Sequence, residues 1–214
     1  MLTAQDLHTA LDELGRKSRD QGKVIEIAIY GGSALMLASN FRISTQDVDA
    51  VAATDQTFID TLAKEIGRTR GWPDDWLNDG VRVYLSPNVD GLAQHHALFR
   101  SYPDEASPGL RVFVPTPEYL LAMKLMAMRI DPASGKADLS DILNLLEVVG
   151  VSERRQLMQF AQSFYPEARV SPQVLLGIDI VWKERELRHV KAALRPDDPH
   201  GPPQYLDRTG PAPK

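Results

Sequence analysis

The sequence predicts an α/β (α+β) protein, with a small mixed sheet flanked by helices over residues 1–115 and a helical C-terminal domain over residues 116–195. Three observations carry that prediction. The β-branched run Val24 to Tyr30 stops at Gly31-Gly32-Ser33 and passes into the helix-prone ALMLAS, which reads as strand, glycine turn and helix. Short apolar runs and helical periods then alternate as far as Val114. From Thr116 onward the apolar residues fall almost entirely at helical spacing.

In chain order, Thr3-Ala4-Gln5-Asp6 is a capping-box-like start, and Leu7, Ala10, Leu11 and Leu14 keep helical spacing until Gly22 stops the helix. Val24 to Tyr30 is a mostly buried strand broken only by Glu26. Val48, Ala50 and Val51 mark a second strand over residues 46–52, after which Thr54 or Asp55 caps a helix carrying Phe58, Ile59, Leu62, Ala63 and Ile66. Turn formers and aromatics make residues 71–80, GWPDDWLNDG, a structured loop or one short helical turn. Strands are expected at Val81 to Leu85, Ala97 to Ser101 and Leu110 to Val114, and the short connections between them suit antiparallel pairing. Thr116 as N-cap and Pro117 at the first helical position open a helix to about Arg129, and helices over 137–149, 152–164 and 172–194 follow. The tail over 196–214 holds six of the fifteen prolines and little that is apolar, a composition that packs poorly or drapes over a surface.

Composition removes several classes of function. A chain of 214 residues buries a core without an external staple. No apolar run approaches a membrane span, and MLTAQDLHTA lacks a basic-then-apolar leader, so the expected compartment is cytoplasmic and no membrane partner is expected. The absence of cysteine excludes disulfides, a thiolate nucleophile and a thiolate zinc site, leaving carboxylates or the five histidines to hold any metal. Lys plus Arg 24 against Asp plus Glu 29 gives a net charge of −5, which argues against a surface basic all over while leaving room for a local basic cleft.

The stretch that carries chemistry is Tyr30-Gly31-Gly32-Ser33, then thirteen residues, then Asp47-Val48-Asp49. Residues two apart on a strand share a face, so Asp47 and Asp49 present paired carboxylates, the donor type a hard cation such as Mg2+ takes. Magnesium completes its shell with water and phosphate oxygens, so the pair asks for a phosphate-bearing ligand. The glycine turn answers that need: without Cβ atoms it brings backbone N–H groups to an anion at a helix N-terminus, with the Ser33 hydroxyl as a further donor.

In this order and spacing the chain resembles the nucleotidyltransferase superfamily of DNA polymerase β, whose hallmark is Gly-Ser followed by Asp-x-Asp; the resemblance covers roughly residues 24–150. Within it the chain is most similar to the toxin half of type IV abortive-infection toxin–antitoxin systems, the AbiEii-like group, and to nucleotidyltransferase-fold proteins close to them. FRISTQDVD matches their Arg-x-Thr-x-Asp-Ile-Asp with Arg42, Ser44 or Thr45, Asp47 and Asp49, one residue longer than the pattern. Leu120, Lys124, Ala127 and Arg129, then Lys136-Ala137-Asp138-Leu139-Ser140-Asp141, follow the family order of Leu-x-x-x-Lys-x-x-Ala and Lys-Asp-x-x-Asp, with Ala137 intruding. The resemblance implies a nucleotidyltransferase fold whose helical domain closes over an NTP. It implies catalytic Asp47, Asp49 and Asp138, Mg2+ on Asp47 and Asp49, and nucleotide contacts from Gly31, Gly32, Ser33, Arg42 and Lys124. It further implies transfer of an NMP to a tRNA or protein hydroxyl, by a toxin neutralised by a cognate antitoxin.

One departure bears on mechanism. The polymerase β pattern places a third carboxylate on a neighbouring strand, where VRVYL and LRVFV carry Arg82 and Arg111. The proton of the attacking hydroxyl then passes to Asp138, to Asp49 or to water, or the site binds a nucleotide without transferring it. The rival readings are therefore a catalytically degenerate binding or regulatory module and a small-molecule (antibiotic) adenylyltransferase. Other conspicuous residues read more simply. His95-His96 has no carboxylate at ligand spacing and is not expected to hold metal; Trp72 and Trp76 are expected to pack the loop. Lys183, Arg185, Arg188, His189, Lys191 and Arg195 on the last helix read first as a solvated face and second as a contact for an RNA backbone.

Overall fold

The computed structural model describes residues 1–39, 41–130 and 135–193. The proline-rich tail and Arg195 lie outside the described residues, as do the side chains of Lys136 and Lys191. The chain divides into two compact units, one built from Met1–Val83 with Asp90–Thr116 and a second from Tyr84–Val89 with the helices that start at Pro117.

The first unit is a mixed α/β layer. Its strands are β1 (Leu2–Thr3), β2 (Ile25–Ile29), β3 (Ser44–Thr45), β4 (Val48–Ala52), β5 (Leu77–Asn78), β6 (His96–Tyr102) and β7 (Leu110–Pro115), and its helices are α1 (Ala4–Asp20), α2 (Gly31–Ala38) and α3 (Gln56–Arg70). Five strands form a mixed sheet in the order β5-β4-β2-β7-β6, and β1 pairs with β3 in a separate two-stranded piece. The buried run expected at Val24 to Tyr30 becomes the central strand, antiparallel to β4 and parallel to β7. A parallel neighbour requires a crossover, so only the β6–β7 hairpin keeps the antiparallel pairing that the short loops suggest.

Local signals explain most boundaries. Thr3 and Asp6 form a reciprocal capping box, the Thr3 hydroxyl accepting from the Asp6 N–H at 3.2 Å while the Asp6 carboxylate accepts from the Thr3 N–H at 2.9 Å. Leu7, Leu11 and Leu14 are wholly buried on the face that α1 turns to β6, β7 and α3. Asp55 stands at the N-cap of α3, yet its φ of 55° is left-handed and its side chain caps nothing. Asp55 is thus the N-cap residue, one of the two expected, while its carboxylate pairs with Lys23 at 2.6 Å.

Two further expectations fail here. Val81 to Leu85 is not a strand: Gly80–Tyr84 winds as a 3-10 turn, with Arg82 turned back to Asp79 at 2.9 Å and Val83 exposed. Alternating apolar residues suit a strand only where a partner is present, and this segment is leaving the sheet. Conversely, Leu77–Asn78, inside the segment read as a loop or helical turn, pairs in parallel with Val48–Asp49. Trp76 anchors that piece, buried, donating to the Ala63 carbonyl at 2.7 Å and packing edge-on to Trp72 at 5.1 Å, the packing role expected for both rings.

The second unit is helical, with α4 (Pro117–Ala127), α5 (Lys136–Val149), α6 (Arg154–Phe164) and α7 (Pro172–Ala193). Its core includes Leu121, Leu125, Ile142, Leu146, Leu157, Ile178 and Val181. Residues 84–89 thread into it. The Ser86 N–H donates to the Tyr119 hydroxyl at 3.0 Å, the Ser86 hydroxyl donates to the Phe164 carbonyl, and the Tyr165 hydroxyl donates to the Tyr84 carbonyl at 2.6 Å. Among the described residues, no helix is long and apolar enough to cross a membrane.

Candidate functional site

The first unit gathers charged side chains around the turn that joins β2 to α2. Gly31 has φ 62°, a left-handed conformation that favours glycine, and a Cβ placed there would stand 2.5 Å from Asp49 Oδ2. A Cβ on Gly32 would stand 3.0 Å from Arg42 Nη1. The two glycines thus admit a carboxylate and a guanidinium against the backbone at the first turn of α2. Ala34 N–H to Tyr30 C=O, at 3.1 Å, is the first bond of the helix. The amides of Gly31, Gly32 and Ser33 lie upstream of it, so the helix itself supplies them no carbonyl.

Asp49 lies on β4 and is half-buried, whereas Asp47 lies in the bend just before β4 and is exposed. The bend is held from below. The Ser33 and Thr45 hydroxyls both donate to the Asp47 carbonyl at 3.0 Å, and Ser33 is almost fully buried. The Ser33 proton is therefore committed to placing Asp47, a different task from the phosphate donor expected of it. In that bend Asp47 lies outside the strand face expected to carry both carboxylates, a correction to the sequence reading; each carboxylate offers the hard oxygen donors that a magnesium ion takes. Among the described residues, no group of three or more His, Asp or Glu side chains is gathered for a metal.

Lys124 and Asp138 come together elsewhere, inside the helical unit. The Lys124 ammonium from α4 sits between Asp138 at 3.2 Å and Asp141 at 2.8 Å on α5, and Arg129 reaches Asp138 at 2.9 Å. Asp141 is 4% exposed and Lys124 11% exposed at their side chains, so this pair is shielded from water while Arg129 stays exposed. Burial pushes the Asp138 carboxyl up, but the neighbouring Lys124 charge and the Arg129 hydrogen bond outweigh it and hold the group below the ordinary carboxylate value. Asp141, the last acid of the Lys136–Asp141 segment, has no role in the site that the sequence predicts; its spacing of three from Asp138 puts both on one helical face toward Lys124.

Other sequence candidates resolve into contacts. Arg111 on β7 pairs with Glu26, its register partner on β2, at 3.2 Å. On α7, Arg185 and His189 face Glu147 at 3.5 and 3.2 Å, and Arg188 reaches Ser140 at 3.5 Å, so much of this basic face is turned to α5. His96 Nε2 lies 2.9 Å from the Tyr30 hydroxyl. No family model, no curated protein and no solved structure matches the chain.

Proposed function

We propose that this chain is a magnesium-dependent nucleotidyltransferase of the nucleotidyltransferase fold, moving an NMP from an NTP onto an RNA (tRNA) or protein hydroxyl. One observation carries the reading: two glycines at a helix N-terminus receive a carboxylate and a guanidinium at the same turn, so a single short segment offers contacts for both a cation and an anion. A nucleoside triphosphate with its metal ion carries both.

In this reading the Gly31 and Gly32 amides and the Arg42 fork donate to triphosphate oxygens, and charge-assisted bonds of this kind contribute about 1.5–3 kcal/mol each. Asp47 and Asp49 hold the magnesium, with Ser33 and Thr45 fixing the backbone of Asp47. Bound magnesium neutralises triphosphate charge and polarises the α-phosphorus. The acceptor hydroxyl attacks in line and pyrophosphate leaves. The hydroxyl proton passes to Asp138, to Asp49 or to water; Lys124 and Arg129 hold Asp138 below its ordinary carboxylate value, which lowers its basicity.

A second reading, a nucleotide-binding module without transfer, draws support from two committed ion pairs. Lys124 is held by two carboxylates, and the acid on the central strand, Glu26, is held by Arg111. Calorimetric titration of the full chain with ATP, GTP, CTP and UTP, with and without magnesium, tests the element common to both readings. The expected result is magnesium-dependent binding that Asp47→Ala/Asp49→Ala abolishes without unfolding the protein; equal binding by wild type and double variant refutes the site.

A further inference from the structure

We infer that Tyr30 and His96 are positioning residues of the nucleotide site, forming a hydrogen-bonded brace across the sheet that sets the Gly31–Gly32 turn against Asp49; the inference rests on the nucleotide reading above. Tyr30 is the residue through which β2 becomes α2. Its N–H donates to the Asp49 carbonyl at 2.8 Å, and its own carbonyl accepts from Ala34 at 3.1 Å, the first bond of α2. The pairing of Ile29 with Ala50 on antiparallel strands puts Tyr30 directly opposite Asp49, so the two side chains share a face of the sheet.

The third arm of Tyr30 is its side chain, which crosses β7 to reach β6. Tyr30 is 3% exposed; its ring meets the His96 ring edge-on with centroids 5.6 Å apart, and its hydroxyl lies 2.9 Å from His96 Nε2. His96 Nδ1 lies 2.8 Å from the Gln94 carbonyl. A carbonyl only accepts, so the geometry assigns the proton to Nδ1, makes Nε2 of the neutral ring an acceptor, and makes Tyr30 the donor. The preceding residue, His95, sits at φ 57° with its carbonyl accepting from Thr116 N–H at 2.8 Å, a left-handed turn that delivers His96 to the start of β6. One tyrosine is thereby tied to the metal-binding strand, to the anion-binding helix and to the far edge of the sheet. Gly31 follows it directly and, lacking a side chain, has none with which to fix its own φ of 62°.

The test compares wild type with Tyr30→Phe, His96→Leu, His96→Gln and the Tyr30→Phe/His96→Leu pair in the full chain. Affinity for a fluorescent ATP analogue with magnesium and the thermal midpoint are measured side by side. Tyr30→Phe and His96→Leu each weaken affinity about tenfold, and the double variant is no worse than either single, because both remove one bond. His96→Gln, whose amide oxygen accepts the same proton, recovers affinity to within about threefold of wild type. In the nucleotide-free wild type, nitrogen-15 NMR shows the neutral Nδ1–H tautomer of His96. Wild-type affinity in both single variants, additive losses, or an Nε2–H tautomer overturns the brace. No magnesium-dependent binding by wild type overturns the nucleotide reading and the brace's role together.

Discussion

At the Gly31 turn, Asp49 and Arg42 are set against glycine backbone where a Cβ would collide with them, and Asp47 beside them faces solvent. Between α4 and α5 the same residue types, Lys124, Arg129, Asp138 and Asp141, are set against one another, and only Arg129 remains exposed. The difference teaches how to weigh charged motifs. Acids and bases that meet only each other, out of water, hold helices together, and removing one partner leaves an uncompensated buried charge. On the proposed reading, acids and bases brought against the backbone of a helix N-terminus serve a ligand that brings its own charges.

The comparison breaks most decisively at Asp47 and Asp49. On the proposed reading, replacing both by Ala lowers nucleotidyl transfer by more than about a hundredfold, since a metal site supplies several kcal/mol of charge stabilisation, while the thermal midpoint stays near that of wild type. The inverse is expected at Asp141→Ala, read by denaturant titration: a stability loss of about 3–5 kcal/mol, because the buried Lys124 ammonium loses its nearer carboxylate. Lys124→Met sharpens the contrast by removing charge from a similar volume. Its stability changes, its ATP affinity shifts less than about threefold, and a tenfold loss of affinity at unchanged stability returns Lys124 to the phosphates.

A smaller effect comes from Gly31→Ala. The left-handed φ costs about 1–2 kcal/mol with a Cβ present, and the new carbon displaces the Asp49 carboxylate, so magnesium-dependent binding falls more than stability does. Acid titration separates the regions again. The Asp138 pKa is depressed on folding, so its contribution is fully present above the ordinary value of 3.8 and is lost as pH falls from there through the lower folded value. Stability measured from pH 6 downward therefore drops below about pH 3.8, and Asp138→Asn removes part of that slope. Least affected is Arg111→Ala: its pair with Glu26 is 43% and 39% exposed, and the expected change is under about 1 kcal/mol with transfer unaltered.

Much of the glycine turn was legible in the residues themselves. Gly31-Gly32 after a β-branched strand placed the turn, and Asp-x-Asp placed Asp49 on a strand but not Asp47, which lies in the bend before it, because strand period and glycine punctuation are local while a strand's first residue is set by its partner. The task of Ser33 was not legible, since a hydroxyl's partner depends on which carbonyl folds over it. Lys124 and Asp138 were legible as charges on adjoining helices, but not that they would meet each other, a contact fixed by how α4 packs on α5. The misread Val81 to Leu85 shows the same limit from the fold side: its alternation is strand-like, but alternation does not supply a strand partner, and Tyr84 and Ser86 bond to Tyr165, Tyr119 and Phe164 far along the chain. The Tyr30–His96 bond spans 66 positions and leaves no local trace.

The decisive experiment is a transfer assay on the full chain with each α-32P-labelled NTP, with and without magnesium, against total tRNA and cell lysate, beside Asp47→Ala/Asp49→Ala. Magnesium-dependent label on RNA or protein that vanishes in the double variant is the predicted result, and it names the base and the acceptor class together. Label that persists in the double variant, or no label from a wild type that binds magnesium and nucleotide, contradicts a transferase centred on the Gly31 turn.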